Sequence, residues 1–475
     1  MSARGLLLVL LAVIVAGGGT AAFLRGEGTP PEVRAPEPLA VGREPRSLVL
    51  EVGDAGSGLR DLTVGIQVQG KEEPLLVQRW SGSWLRGGRP GTERVEVPVD
   101  PKALGVKEGE TSLHVVAHDW SWRGFLAGNE TKIDLPVTVD LRAPRVAIEN
   151  GLTYLERGGS GLVAYSLDEP VIRDGVEVAG AFFPGYPAPG GGKRRLALFA
   201  IPQDAPPDPP IQVVAVDRVG NRSAVGWATR LKERGFPDVD LNLPASFMQR
   251  KVPELAQNVG IEVGDPVPTF QRINSEIRAA NEKKIREILK QADRSTEKLW
   301  DGPFEQLRNS KVTSHFAERR SYFVDGQKIS QATHYGYDLA TVAGGPVTAA
   351  NRGRVIYADD LGIYGNCVLI DHGMGLTSLY GHLSRIDVKP GDSVEKGQQL
   401  GISGSTGLAG GDHLHFALLV DDVYVDPVEW WDPKWVHEKI DAVYAPQAAN
   451  AEAAPVPAAA PPERTARRAR GARRP

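Results

Sequence analysis

The sequence predicts a mostly β chain divided into several domains, on three observations. Its 54 glycines and 36 prolines fall between apolar runs as turn signals, which favours short strands over long helices. Stretches such as RSLVLEV (46–52), LTVGIQVQG (62–70) and ERVEVPV (93–99) place apolar residues at every second position, the period of a half-buried strand. Its 475 residues exceed what one hydrophobic core serves, so roughly two to four domains are expected.

The composition also excludes some classes. A single cysteine, Cys367, rules out an intramolecular disulfide, so the fold must rest on packed cores. Cys367 sits in NCVLI, read as a buried strand, and is expected to be structural. A net charge of −4 argues against nucleic acid as a partner, because phosphate contacts demand a basic surface.

Taken in order, the chain opens with Arg4 and then Gly5–Leu24, 20 residues without a charge. That length spans a bilayer core as a helix. TAA is a poor cleavage site for a secretory signal. Residues 1–25 are therefore expected to be a signal anchor or a signal peptide, with the bulk of the chain exported to the periplasmic side. Residues 26–45 read as an extended, Pro-rich linker. Two strand-rich units follow, 46–142 and 143–235. They end alike: an Asp after an alternating run (Asp119, Asp217), then Gly-Asn (Gly128–Asn129, Gly220–Asn221). Asp and Asn suit tight turns because their side chains bond nearby backbone. This ending resembles that of bacterial immunoglobulin-like domains, which implies two Ig-like β-sandwiches.

Residues 244–304 carry Ile273, Ile277, Ile285, Ile288 and Leu289 at near-helical spacing, which predicts an amphipathic helical insert packed beside the next domain. Residues 305–433 turn strand-rich again. Residues 444–475 collapse to Ala, Pro and Arg, with six arginines between Arg464 and Arg474. That tail is expected to be disordered, with an anionic envelope polymer or lipid as a candidate partner.

The chemistry concentrates in 305–433. Five of the nine histidines lie between 334 and 415. THYGYDLA sets His334 four residues before Asp338, LYGHLS holds His382, and DHLHF holds His413 and His415. Residues i and i+2 of a strand share a face, so His413 and His415 are aimed at one point. Two histidines and one carboxylate match a catalytic zinc, which keeps one position open for water. Two more histidines are then left for acid–base work. The glycine-rich VKPGDSVEKGQQLGISGS also fits half of a biotinyl-carrier hairpin, but it lacks the exposed Lys at the tip that a carrier needs.

These stretches, with HYGYDLATVAGGPVTAANRGRVIYA, GIYGNCVLIDHGMGLTSLYGHLS and DPVEWWDP, resemble the LytM/lysostaphin-type zinc endopeptidases of peptidoglycan over roughly 330–433. The resemblance implies an antiparallel β peptidase domain, with Zn2+ held by His334, Asp338 and His415 and with His382 and His413 as catalytic residues. It further implies peptide stems and cross-links as substrate. Ser378 replaces a common Thr, and Ala417 a common acidic residue; neither is a ligand. Asp412, Asp371 and His372 are candidates to orient the ligand rings. The competing expectation is a catalytically silent LytM-like regulator that activates a cell-wall amidase. Such proteins lack one or more ligands, and here all are present. The anchor, the Ig-like repeats and the absence of a wall-binding repeat point to a Gram-negative-type periplasm, with residues 5–24 in the inner membrane, and hence to a D-Ala–diaminopimelate cross-link.

Overall fold

The computed structural model describes residues 25–445, together with Val13, Ala16, Gly19, Thr20 and Phe23. The rest of the expected membrane segment at 5–24, and the tail beyond Ala445, lie outside the described residues. Among the described residues no helix is long and apolar enough to cross a membrane.

The chain is mostly β. Its first unit is a sandwich. Glu32–Arg34, Arg46–Asp54 and Gly91–Val99 form one sheet; Leu39–Val41, Glu130–Val139, Gly109–Asp119, Leu59–Val68 and Lys71–Arg79 form the other. The alternation predicts the inner faces: Leu48, Leu50 and Val52 meet Leu62, Val64 and Ile66 in one core. Pro74 falls on Lys71–Arg79, at the sheet edge, where a missing N–H breaks no ladder. The stretch 26–45 is not the free linker expected. Glu32–Arg34 joins one sheet and Leu39–Val41 the other, because Val33, Leu39 and Val41 find apolar ground in the core.

The second unit is also two-layered, with Tyr186–Pro187, Arg194–Ala200, Ser160–Leu167 and Val146–Ile148 against Ala181–Pro184, Arg173–Val178, Ile211–Val216 and Arg222–Gly226. The repeated Asp…Gly-Asn endings have a common purpose. Asp119 Oδ1 accepts from the Ser121 and Asn129 amides, and Asp217 Oδ1 from those of Val219 and Asn221. Asn129 Nδ2 then donates upstream to the carbonyls of Glu27 and Thr29, and Asn221 Nδ2 to those of Asp140 and Arg142. Each turn therefore ties down the chain that enters its own sandwich.

The helices of the insert run from Phe247 to Gln291. Ile273, Ile285 and Leu289 are buried, as their spacing predicts, and they join a core that extends without a break from the second unit into the C-terminal domain. That domain is built on an antiparallel sheet in the order Lys311–Ser314, Tyr337–Ala340, Leu414–Val420, Leu376–Leu383, Asn366–Gly373, Gly353–Asp360 and Ser393–Val394. Cys367 is buried in it and unpaired. A smaller sheet pairs Asp238–Asn242 with Glu318–Val324, and that strand with Gln327–His334. The second unit is sewn to this domain by Glu429, which accepts from the Ser160 amide at 2.8 Å. Trp430 Nε1 donates to Ser160 Oγ at 3.0 Å, and Arg194 donates to the Val443 carbonyl at 2.8 Å.

Candidate metal centre and groove

Strand register builds the centre. Tyr337–Ala340 pairs with Leu414–Val420 so that Asp338 faces His415. On the other side of Leu414–Val420, Gly381 faces His415, which sets His382 next to it. His334 ends its strand three residues before Tyr337, and the turn needs Gly336. A Cβ there would lie 2.8 Å from His415 Cε1 and 2.5 Å from the Phe416 carbonyl.

Three donor atoms converge. His334 Nε2, Asp338 Oδ1 and His415 Nδ1 are each 3.0 Å from the other two, and all three residues are buried. His334 Nδ1 lies 2.9 Å from the His315 carbonyl. That acceptor assigns the proton to Nδ1 and leaves Nε2 with its lone pair. Burial and the neighbouring His334 and His413 hold His415 neutral, with its pKa pulled down to about 4. His415 Nε2 is buried without a hydrogen-bond partner, so no hydrogen bond on that side dictates the ring's position. Two imidazole nitrogens and a carboxylate oxygen this close need a positive charge among them, a proton or a metal cation. The set fits zinc, which takes nitrogen and oxygen donors together.

Burial opposes the charge on Asp338, but the facing His334, His413 and His415 outweigh it and hold the carboxyl well below its usual range. Arg320 adds an ion pair to Asp338 Oδ2 at 3.1 Å and another to Glu318 at 3.1 Å.

His413 and His415 do converge, as their spacing predicts: His413 Nε2 lies 3.5 Å from the same Asp338 Oδ1. His413 Nδ1 is 2.8 Å from the Gly411 carbonyl. The His382 ring centroid is 4.8 Å from that of His413, and His382 Nδ1 is 2.8 Å from the Thr406 carbonyl. Burial, then His413 and His415, push the His382 pKa well down. His382 also has φ +64°, a left-handed conformation that costs a non-Gly residue energy and recurs at functional sites.

The three residues proposed to orient the ligand rings do not touch the cluster. Asp412 bonds Ser403 Oγ and the Gly344 amide. Asp371 holds Arg294 and the Ser295 amide. His372 bridges the Arg352 carbonyl and Ser378 Oγ inside the core. The groups in contact are instead the His315 carbonyl and Arg320. Arg320 carried a signal: Glu318, Arg320 and Tyr322 alternate onto one face of a strand, an odd place for two charges.

A groove of about 640 Å³ opens over the cluster. His334, Asp338, His382, His413 and His415 line one wall. The insert and the strand before it supply the other, through Leu243, Phe247, Arg250, Lys251 and Arg278. Lys251 Nζ reaches across to the Ser405 carbonyl at 2.6 Å.

Residues 332–427 match Peptidase family M23. The peptidoglycan DD-endopeptidase ShyB of Vibrio cholerae is 36% identical over 119 residues, 25% of this chain and 27% of that protein. ShyA of the same organism, also a peptidoglycan DD-endopeptidase, is 39% identical over 110 residues, 23% and 25% respectively. This chain thus matches about a quarter of the length of each. The catalytic domain of lysostaphin from Staphylococcus simulans aligns at 29% identity and TM-score 0.24, over 28% of this chain and 98% of that one.

Proposed function

The C-terminal domain of this chain belongs to peptidase family M23, and from that premise we propose that the protein is a zinc-dependent endopeptidase that hydrolyses peptide cross-links of peptidoglycan in the cell envelope. The observation that carries this reading is the buried convergence of His334, Asp338 and His415, with His382 and His413 beside them.

His334 Nε2, His415 Nδ1 and a carboxylate oxygen of Asp338 would hold the metal. Bound there, zinc polarises a scissile carbonyl and acidifies water towards a pKa of roughly 7. The chain's own residues do the rest. Arg320 orients Asp338 through its ion pair to Oδ2. His382, fixed through Nδ1 on Thr406, presents Nε2 to accept a proton. His413, fixed through Nδ1 on Gly411, presents Nε2 to the same groove. Together they can move the proton from water to the leaving amine and hydrogen-bond the developing oxyanion. Arg250, Lys251 and Arg278 on the groove wall suit a stem peptide rich in carboxylates.

The relatives' activity on peptidoglycan supports this substrate, and their DD-endopeptidase names favour a cross-link between D-centres. A complete donor set supports an enzyme over a silent regulator. Localisation on the periplasmic side, anchored through 5–24, with the arginine-rich tail on an anionic polymer, belongs to the same proposal. The test is digestion of purified sacculi by the intact zinc-loaded chain, read by mass spectrometry of the released muropeptides. Cross-linked dimers should fall and monomers rise. Unchanged dimers with folded, metal-loaded protein would refute the reading.

A further inference from the structure

Among the described residues, two groups of three His, Cys, Asp or Glu donors bring their ligand atoms within 4.8 Å of one another. One is the centre above. The other is Glu27, Asp54 and Asp119, at the end of the first sandwich where the chain enters it. Asp54 is 4% exposed and Asp119 fully buried. We propose that Glu27, Asp54 and Asp119 bind a hard divalent cation, calcium in particular, which locks the entering chain onto the first sandwich.

Four observations carry this. The donors are all carboxylate oxygens, the set that calcium prefers and zinc does not require. Asp54 Oδ1 is buried and has no hydrogen-bond partner, although Oδ2 of the same carboxyl accepts from the Gly56 and Gly58 amides at 3.1 and 2.6 Å. An orphaned buried carboxylate oxygen costs free energy unless something positive meets it. The charges that Asp54 feels are those of Asp119 and Glu27, both of its own sign. Of the arginines beside the acids, Arg60, which approaches Gly128, pairs with Asp61, and Arg123, which lies against Gly28, forms no ion pair with any of the three among the described residues.

The backbone is shaped to hold the three acids together despite that repulsion. A Cβ at Gly56 would lie 2.7 Å from Glu27 Cδ, so glycine makes room for the glutamate. Asn129 Nδ2 bonds the Glu27 carbonyl at 3.1 Å and Asp119 Oδ2 at 2.8 Å. Ser121 Oγ donates to the Glu27 carbonyl at 2.8 Å. The second sandwich repeats the Asp217–Asn221 clamp without bringing three acidic donors so close. The clamp alone therefore does not require the triplet of acids. Glu27 lies three residues after Leu24, the end of the apolar run, so a cation here would fix how the first sandwich leaves that segment.

The test uses the intact, zinc-loaded chain. Terbium luminescence, sensitised by the adjacent Trp120, and calorimetric titration with calcium read the site. One saturable terbium site displaced by calcium is expected. Asp54→Asn should weaken calcium binding by about tenfold or more, since charge count sets affinity at such sites. Zinc content and sacculus cleavage should stay unchanged. Asp54 also holds two backbone amides, so Asp54→Asn can fail to fold. Glu27→Gln, whose side chain approaches from outside the sandwich core, then decides the matter by the same weakening. Absence of calcium binding by the folded wild-type chain, or equal binding by Glu27→Gln, would overturn the proposal.

Discussion

The two donor clusters differ in composition and in how they are assembled. At the C-terminal centre, two imidazole nitrogens and one carboxylate meet at 3.0 Å, and a strand register holds them. At the first sandwich, three carboxylates gather within 4.8 Å on turns and on the entering chain. Nitrogen donors lose their proton readily and suit a borderline metal; carboxylates alone suit a hard one. All three donors of the C-terminal centre are buried, whereas Glu27 is only half-buried beside the buried Asp54 and Asp119, and donor chemistry separates the roles further. The C-terminal cluster has two further histidines and a groove beside it. A metal with no open, lined position beside it can staple a fold but has nothing to act on.

Removing chemistry without removing metal sharpens this contrast most. His382→Ala and His413→Ala are expected to lower sacculus cleavage by roughly a hundredfold to ten-thousandfold, the scale of a positioned acid or base. Both variants should keep their zinc in elemental analysis. Loss of zinc from either would move that histidine into the metal set. A smaller effect is expected at Arg320, which meets Asp338 Oδ2. Arg320→Gln should weaken zinc retention against a chelator by roughly tenfold to a hundredfold, and leave calcium binding at the first sandwich as it is. Zinc retention equal to wild type would reduce the Arg320 pair to a packing contact.

Legibility followed sequence distance. His334 and Asp338 are four residues apart, and His413 and His415 two, so each pair announces itself; register then brings the pairs together. The alternating strands of both sandwiches and the apolar stripe of the insert were readable for the same local reason. Glu27, Asp54 and Asp119 are scattered, and each passes alone for a turn residue. The strained φ of His382 leaves no mark in its residue type. The edge strands within 26–45 were hidden because three-residue strands with prolines around them read as linker. The wall that the insert lends the groove, and the bonds from Glu429 and Trp430 to Ser160, depend on tertiary packing that no window of sequence contains. Asp371 and His372 show the converse. Their types suggested a role at the metal, and both turned out to satisfy backbone and side-chain partners in the core.

The most direct test is the metal content of the intact chain, measured together with cleavage. Wild-type protein equilibrated with trace zinc and dialysed should retain one zinc per chain. His334→Ala, Asp338→Ala and His415→Ala should each lose that zinc and the cleavage of sacculi together. Full zinc occupancy in all three folded variants, or cleavage that persists after the zinc is gone, would contradict the account.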